Sequence, residues 1–334
     1  MKKLHFIIFF LLLQTLFGQE SFIESKLTAG YKGDFIPELK NENENEDLNF
    51  LVLGDFGRVG EYYQKEVAKQ LGNAALMLDS EFIVTVGDNF YPNGVSSIYD
   101  EHWHASFNNI YTHPSLYIDW YAALGNHDHR GNIDAQIAYS DISRRWNMPA
   151  PYYSKTFELN DGKKLLLVVI DTSPFIQSYQ GKDEKYPHLE SQNAEKQKKW
   201  LIETLSTKDE SIAWKVVVGH HPLYSGGKRK EAKDTKDFES QFADLFDTLK
   251  VDAYICGHEH DLQIIKPKGR FTTQFLSGGG SETRPAGNRE GTIFSKAEPG
   301  FMSFTVNGDF MEIQTIKAHK NSAEILHKME LKKK

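Results

Sequence analysis

Short apolar runs alternate with amphipathic stretches along most of this 334-residue chain. Runs rich in β-branched and aromatic residues, bounded by Gly, Pro or Asn, predict strands, whereas apolar residues three or four positions apart predict helices. On these criteria helices are expected at about 67–78, 190–205 and 238–249. Strands are expected at about 49–54, 82–87, 117–124, 164–170, 214–219, 252–256, 272–277, 301–306 and 310–316.

The order of these elements predicts an α/β fold. Strands alternate with helices in the first two thirds of the chain, which is typical of βαβ units that build a parallel sheet. The stretch after Val251 has little helical pattern and favours further strands, some of them antiparallel. The sequence has no internal repeat and no signature of a second domain, so a single domain is expected over 48–334.

The residues before position 48 are expected to lie outside that domain. Two lysines precede the apolar run from Phe6 to Leu13, a pattern typical of a signal peptide, which we place at 1–18. The run is too short to span a bilayer comfortably. The following residues, 19–47, end in a polar, acidic stretch and are expected to form a linker. We therefore expect a protein that is secreted or periplasmic.

Composition and charge narrow the function classes. Hydrophobic residues make up 40% of the chain, which is enough for a sizeable core, and the formal net charge is −7. An acidic chain without a basic patch argues against a nucleic-acid partner, and no segment beyond the N-terminal run is apolar enough to indicate a membrane partner. Cys256 is the one cysteine, so an intramolecular disulfide is excluded, and we expect it to be a small buried residue.

Candidate metal ligands directly follow five of the apolar runs. In each case the run ends in Gly and the next residue is Asp, Asn or His. Side chains at these places meet at the carboxyl edge of a sheet, where α/β folds usually bind ligands. One such strand end is ordinary turn chemistry, but five together predict one polynuclear metal site. The segments are Gly54-Asp55, Gly87-Asp88-Asn89-Phe90-Tyr91, Gly125-Asn126-His127-Asp128, Gly219-His220-His221 and Gly257-His258-Glu259-His260.

The residue types in these segments indicate which ions the site prefers. They offer carboxylates, a phenol, an amide and imidazoles, and no thiolate follows the terminal glycines. Imidazole nitrogens suit zinc, iron and manganese, and the oxygen donors suit harder ions, so the set fits a catalytic site better than a structural zinc site. His258 and His260 are two residues apart and must lie on a strand end or turn to face one site.

The motif series GDFG, GDNFY, GNHD, VGHH and GHEH resembles the calcineurin-like metallophosphoesterase superfamily. Tyr91, which follows GDNF, narrows the resemblance to the purple acid phosphatases, and the segment 125–152 is similar to their small, tartrate-resistant branch. The likeness covers about 48–316. It implies a four-layer α/β/β/α sandwich of two mixed β-sheets flanked by helices.

The resemblance also implies a binuclear metal cofactor. By motif position, one set of four residues holds a ferric ion, another holds a divalent iron, zinc or manganese ion, and Asp88 bridges the two ions. A bridging carboxylate suits the separation of about 3.5–4 Å that is typical of two-metal hydrolases. The alternative for Tyr91 is an aromatic side chain that packs on the core. The ferric set is Asp55, Asp88, Tyr91 and His260, and the divalent set is Asp88, Asn126, His220 and His258.

The function that this resemblance implies is that of a secreted acid phosphatase, which hydrolyses small phosphate monoesters through attack by a metal-bound hydroxide. His127 is expected to assist the leaving group and to contact the substrate together with Asn126; its alternative role is to orient the ligands. A phosphodiesterase or nucleotide hydrolase at the same site is the alternative reaction. A phosphate-binding relative without catalysis is the alternative class, and the natural substrate and oligomeric state stay open.

The segment after His221 departs from the family pattern. Small purple acid phosphatases usually carry another histidine shortly afterwards, but here none follows until His258. Either Lys228 or Arg229 takes over phosphate binding, or a second acid is missing and the pH profile changes. A solvated basic loop is the remaining interpretation. Asp171, at the end of another apolar run, either supports the ligands or is a plain strand-end residue.

Overall fold

The computed structural model describes residues 47–333. The predicted signal peptide, 1–18, and all but the last residue of the predicted linker lie outside the described residues. The three predicted helices are confirmed, and a shorter one, α2, accompanies them. The α-helices are α1 (Gln64–Met77), α2 (Ile133–Ala138), α3 (Ala194–Leu205) and α4 (Lys233–Thr248), with a π-helical turn at Trp103–Asn108 and 3₁₀ turns at Pro114–Leu116, Asp128–Arg130, Tyr139–Asp141, Ser173–Phe175 and Gln177–Tyr179.

Strands form where the apolar runs predict them. Each of the nine predicted strands is confirmed to within a few residues at either end, and the described part of the chain contains five others. The strands are β1 (Leu48–Leu53), β2 (Phe82–Thr85), β3 (Asp119–Ala122), β4 (Trp146–Asn147), β5 (Tyr153–Glu158), β6 (Lys164–Val169), β7 (Ile212–Val218), β8 (Ala253–Cys256), β9 (Leu262–Ile265), β10 (Thr273–Ser277), β11 (Thr292–Lys296), β12 (Gly300–Val306), β13 (Phe310–Ala318) and β14 (Ala323–Lys332).

These strands form two mixed sheets of seven strands each. The first has the order β14-β13-β12-β1-β2-β3-β4, in which β1 to β4 are parallel and β12 joins β1 antiparallel. The second has the order β11-β9-β10-β8-β7-β6-β5, in which β6, β7, β8 and β10 are parallel. The antiparallel strands after Val251 confirm the expectation for that part of the chain.

The sheets pack face to face, with helices on the outside. Side chains of β6 alternate between two clusters: Leu165 and Leu167 join the cluster that contains the first sheet, whereas Leu166 and Val168 join the cluster that contains α3 and α4. Helix α1 packs on β1, β12 and β13 at the other side. Successive strand residues point to opposite faces, so buried alternation of this kind requires a layer on each side of the sheet. The four-layer α/β/β/α sandwich is therefore confirmed.

The topology brings the ends of five parallel strands to one edge of the sandwich. Strands β1, β2 and β3 are neighbours in the first sheet, and β7 and β8 are neighbours in the second. All five are buried along most of their length, and each leads into one of the glycine-terminated segments. Within residues 47–333, no helix has the length and apolar character needed to cross a membrane.

Candidate metal centre

Seven side chains that the sequence nominated as metal ligands meet at this edge of the sandwich. They fall into two groups of four that share Asp88, and each of the seven is at most 4% exposed. They come from the loops after β1, β2 and β3 in one sheet and after β7 and β8 in the other. The seven residues are Asp55, Asp88, Tyr91, Asn126, His220, His258 and His260.

The first group surrounds the Tyr91 hydroxyl. Its oxygen lies 2.9 Å from Asp55 Oδ1, 3.0 Å from Asp88 Oδ2 and 3.2 Å from His260 Nε2. His260 Nε2 is in turn 3.4 Å from Asp55 Oδ1. Three oxygens and one nitrogen therefore point to a common centre, as the implied ferric set requires.

The second group surrounds His220 Nε2. That nitrogen lies 3.0 Å from His258 Nδ1, 3.3 Å from Asn126 Oδ1 and 3.4 Å from Asp88 Oδ1. The other ring nitrogen of His220 lies 2.8 Å from the Val86 carbonyl oxygen. Since a carbonyl oxygen accepts only, Nδ1 donates to it, and Nε2 is the nitrogen that faces the group and would bind a cation.

Asp88 belongs to both groups through different oxygens. Its Oδ2 faces Tyr91 in the first group, and its Oδ1 faces His220 in the second. The backbone N–H of His127 donates to Oδ1 at 2.7 Å, which fixes the orientation of the carboxylate. Asp88 therefore has the placement of a carboxylate that bridges two cations.

The backbone at three of these residues is held in a conformation that side chains rarely adopt. Asp55, Asp88 and His258 have φ of 57°, 51° and 71°. Such left-handed residues cost free energy and persist where the surrounding structure requires them, often at functional sites. A glycine is also required at position 257, directly before His258, because a Cβ atom there would collide with Asp55 Oδ2. The glycines of the five segments thus allow the strand ends to approach one another.

We expect Gly257→Ala to weaken metal binding at least about tenfold, because overpacking of about 1–3 kcal/mol would displace the Asp55 carboxylate. Dissociation constants measured by competition with a chelator would test this. Gly162→Ala is the control: Gly162 has a positive φ of 76°, which strains an alanine, but nothing lies within 4 Å of the place that its Cβ atom would take. Loss of metal in both variants would assign the effect to general destabilisation.

The electrostatics of the first group call for a cation. Burial, with the nearby charge of Asp88, raises the pKa of Asp55 to about 7 against the opposing charge of His220. Burial and the same two carboxylates hold the pKa of Tyr91 well above its usual range. Buried anions at hydrogen-bond distance from one another are costly unless a positive charge joins them. The donor set therefore fits a hard, highly charged ion, which would let the phenol lose its proton.

Two of the three histidines in these groups favour the neutral ring, which is the form that binds a metal ion. Burial, followed by the charge of Arg284, lowers the pKa of His260 to about 2. Burial, followed by the charge of Arg229, holds the pKa of His258 well below its usual range. His220 differs: burial alone would lower its pKa, but the Asp88 charge raises it to about 9. A cation beside Asp88 would take over the role of that proton.

His127 lies at the margin of the two groups and is only partly buried. Its ring centroid is 4.4 Å from that of Tyr91, and its Nδ1 lies 2.5 Å from the Pro92 carbonyl oxygen. Nδ1 therefore carries a proton, and Nε2 is the nitrogen left to a substrate. Burial lowers the pKa of His127, and the Arg130 charge adds to this, while the Asp88 charge opposes it.

Asp128 has no role in the sequence-based prediction, yet it supports two of the loops. This fully buried carboxylate accepts hydrogen bonds from the backbone N–H groups of Gly125, at 2.8 Å, and Asn89, at 3.1 Å. It also accepts from Gln136 Nε2 at 2.9 Å. These bonds join the loops after β2 and β3. The GNHD motif could have indicated this role for its aspartate, because an aspartate buried after a strand end needs several hydrogen-bond donors.

The residues that the sequence left undecided are placed as follows. Asp171 is fully buried and pairs with His129 Nε2 at 2.8 Å, and His129 is not one of the seven residues. Lys228 is exposed. Arg229 Nη1 lies 2.7 Å from Asp234 Oδ2, beside His258. Cys256 is fully buried in β8, as expected.

A comparison with family models matches residues 48–262 to the calcineurin-like phosphoesterases. The chain is 37% identical over 270 residues to Purple acid phosphatase 7 of Arabidopsis thaliana, covering 78% of this chain and 79% of that protein. It is 32% identical over 266 residues to human (Homo sapiens) Tartrate-resistant acid phosphatase type 5, covering 77% of this chain and 79% of that protein. Both relatives are therefore similar over most of their length.

Among solved structures, the fold is similar to the one described as "GAP50 the anchor in the inner membrane complex of Plasmodium". The TM-score is 0.74 at 22% sequence identity, and the similarity covers 86% of this chain and 89% of that chain. At this identity the likeness concerns the fold alone.

Proposed function

Because this chain belongs to the calcineurin-like phosphoesterases and, within them, to the purple acid phosphatases, it is a phosphoric monoester hydrolase, and we propose that it uses two cations held by the seven residues described above. The observation that carries this proposal is the placement of Asp88, whose two oxygens face two separate groups of donors. When bound, two such cations lower the pKa of a coordinated water and offset the charge that develops on the phosphoryl oxygens.

The protein's own residues then hold the reacting groups. The His127 amide fixes the Asp88 carboxylate, and the Pro92 carbonyl accepts from Nδ1 and fixes the His127 ring. Nε2 is then the nitrogen that faces the leaving group, and it donates to the leaving-group oxygen when the ring carries its second proton at acidic pH. Asn126, next to His127, is proposed to contact the phosphoryl group as well as a cation. We propose small phosphate monoesters as the substrates, and we propose no nucleic-acid or membrane partner.

For the first group we propose a ferric ion, with iron, zinc or manganese as the divalent ion of the second. The ferric assignment is supported by Tyr91, because a phenol binds a metal ion well only as the phenolate. The Arg58 guanidinium carbon lies 3.7 Å from the Tyr91 ring centroid, and this nearby positive charge favours the phenolate. Export, either by secretion or into a periplasm, is proposed from the N-terminal pattern of the sequence.

We expect the iron-loaded protein to be coloured through phenolate-to-iron charge transfer, and Tyr91→Phe to lose the visible absorption band. The affinity of the first site should also fall by at least the ~10–100-fold that outer-shell changes cost. Absorption spectra with iron quantified per chain would check both. A colourless, active wild-type protein without iron would remove the ferric assignment and leave a different metal in this site.

The proposed activity is tested by the hydrolysis of 4-nitrophenyl phosphate and of bis(4-nitrophenyl) phosphate across about pH 4 to 9, with metals quantified. Monoester turnover with an acidic optimum supports the acid phosphatase. A preference for the diester would establish the phosphodiesterase alternative. Bound metals with no turnover of either compound would instead favour a phosphate-binding relative without catalysis.

A further inference from the structure

Asp234 lies behind His258 and has no part in the proposed reaction. Its Oδ2 is 2.9 Å from His258 Nε2, the ring nitrogen opposite the one that faces His220. Asp234 is 7% exposed. Because an ionised carboxylate only accepts, His258 Nε2 carries the proton and donates it to Asp234. The Nδ1 lone pair is thereby left toward the second group.

Arg229 holds this carboxylate and ties its loop to the histidines. Arg229 Nη1 is 2.7 Å from Asp234 Oδ2, and its backbone N–H donates to Glu259 Oε1 at 2.6 Å. The Ser225 hydroxyl donates to the same oxygen at 2.5 Å. Glu259 stands between the two histidines of the GHEH segment and is 1% exposed. The loop from Ser225 to Asp234 is therefore built onto the segment that carries them.

We propose that Asp234, held by Arg229, is a positioning residue that orients His258 toward the divalent ion. Metal-binding histidines commonly donate their other ring N–H to a carboxylate, and loss of that partner typically costs 10–100-fold in metal affinity. On this account Arg229 acts through Asp234 and does not bind the phosphate. The inference rests on the proposed function, because it assumes a cation in the second group.

His260 offers a comparison within the same segment. Its Nδ1 is 3.4 Å from Glu282 Oε2, and that oxygen also pairs with Arg58 at 2.8 Å and Arg284 at 3.2 Å. Glu282 has 28% of its side chain exposed, whereas Asp234 has 9%. The longer contact and the greater exposure predict that Glu282→Gln weakens metal binding less than Asp234→Asn does.

A third metal ion is the competing interpretation of the same residues, because His221, Asp234 and His258 also lie close enough to hold one. However, His221 Nδ1 is 2.8 Å from Thr172 Oγ1, and its Nε2 is 3.0 Å from the Tyr179 hydroxyl. Both nitrogens of His221 are thus engaged by hydroxyl groups. In addition, His258 Nδ1 faces the second group, and its Nε2 is hydrogen-bonded to Asp234.

The test is the loss of zinc from protein that has been loaded with iron and zinc and then exposed to a chelator. We expect Asp234→Ala to bind zinc ~10–100-fold more weakly and to retain iron. Asp234→Asn should lose less zinc affinity than Asp234→Ala, because the amide oxygen still accepts a hydrogen bond from His258. Asn also keeps the shape of the side chain and decides the question if the Ala variant fails to fold. Glu231→Gln, which removes a surface carboxylate paired with Lys236, is the matched control and should behave like wild type.

Arg229→Ala separates the two roles of the arginine. If it acts through Asp234, zinc is lost faster while the KM of the zinc-saturated enzyme stays unchanged. A raised KM with normal zinc retention would overturn the inference, as would wild-type zinc affinity in both Asp234 variants or a third metal ion that Asp234→Ala abolishes. A wild-type protein that binds no metal would instead contradict the proposed function itself.

Discussion

Asp88→Ala is expected to lose both metal ions together and to reduce phosphatase activity at least about 10³-fold, because several kcal/mol of transition-state stabilisation would be lost. The two oxygens of this carboxylate face different donor groups, at 3.0 Å from the Tyr91 hydroxyl and 3.4 Å from His220 Nε2. No other side chain among the seven takes part in both groups. Metal content per chain, measured beside activity, would check the prediction.

The matched control for Asp88→Ala is Asp171→Ala. Asp171 is also a buried aspartate at a strand end, but it pairs with His129, which is not one of the seven proposed ligands. It should lose stability and keep both metals. If Asp88→Ala lost only one metal ion, the shared carboxylate would not be a bridge, and each group would have to hold its ion independently.

His127→Ala is expected to slow the hydrolysis of esters with poor leaving groups by about 10²–10⁴-fold, the usual contribution of a positioned acid. The rate of phenyl phosphate hydrolysis should therefore fall more than that of 4-nitrophenyl phosphate, whose leaving group departs without protonation more easily. The substitution keeps the backbone N–H that donates to Asp88, so the bridge should stay in place. Values of kcat for the two esters, with metals quantified, would check this.

Two outcomes would reassign His127. Equal losses for both esters would indicate that the ring orients neighbouring groups and does not touch the leaving group. Loss of metal or of colour would point to its packing against Tyr91, where the ring centroids are 4.4 Å apart. Since the ring is partly exposed, neither outcome should be accompanied by a large loss of stability.

Much of the fold followed from the sequence because its buried strands are continuous apolar runs. Strands such as β6 and β8 are buried on both faces, and β8 ends directly before Gly257, so the pattern locates them well. By contrast, β5 has exposed Ser154 and Lys155 after buried Tyr153, and the long β14 alternates exposed and partly buried residues. These strands lie at sheet edges, where local sequence carries little of the signal.

The proposed metal ligands could be found from sequence because they lie in short segments that follow glycine-terminated strands. The residues that support them could not be found in this way. Asp234 lies at the start of α4 in a lysine-rich segment, and Glu282 follows a glycine-rich loop far along the chain. Their proximity to His258 and His260 depends on how the two sheets and their loops pack, which no local pattern records.

The most direct test of the two-cation account is the activity of metal-depleted protein as iron and a divalent ion are added back in known amounts. The account predicts almost no 4-nitrophenyl phosphate hydrolysis in the depleted protein and recovery that is complete at about two metal ions per chain. Full activity after thorough chelation, or recovery that is complete at one ion, would contradict it.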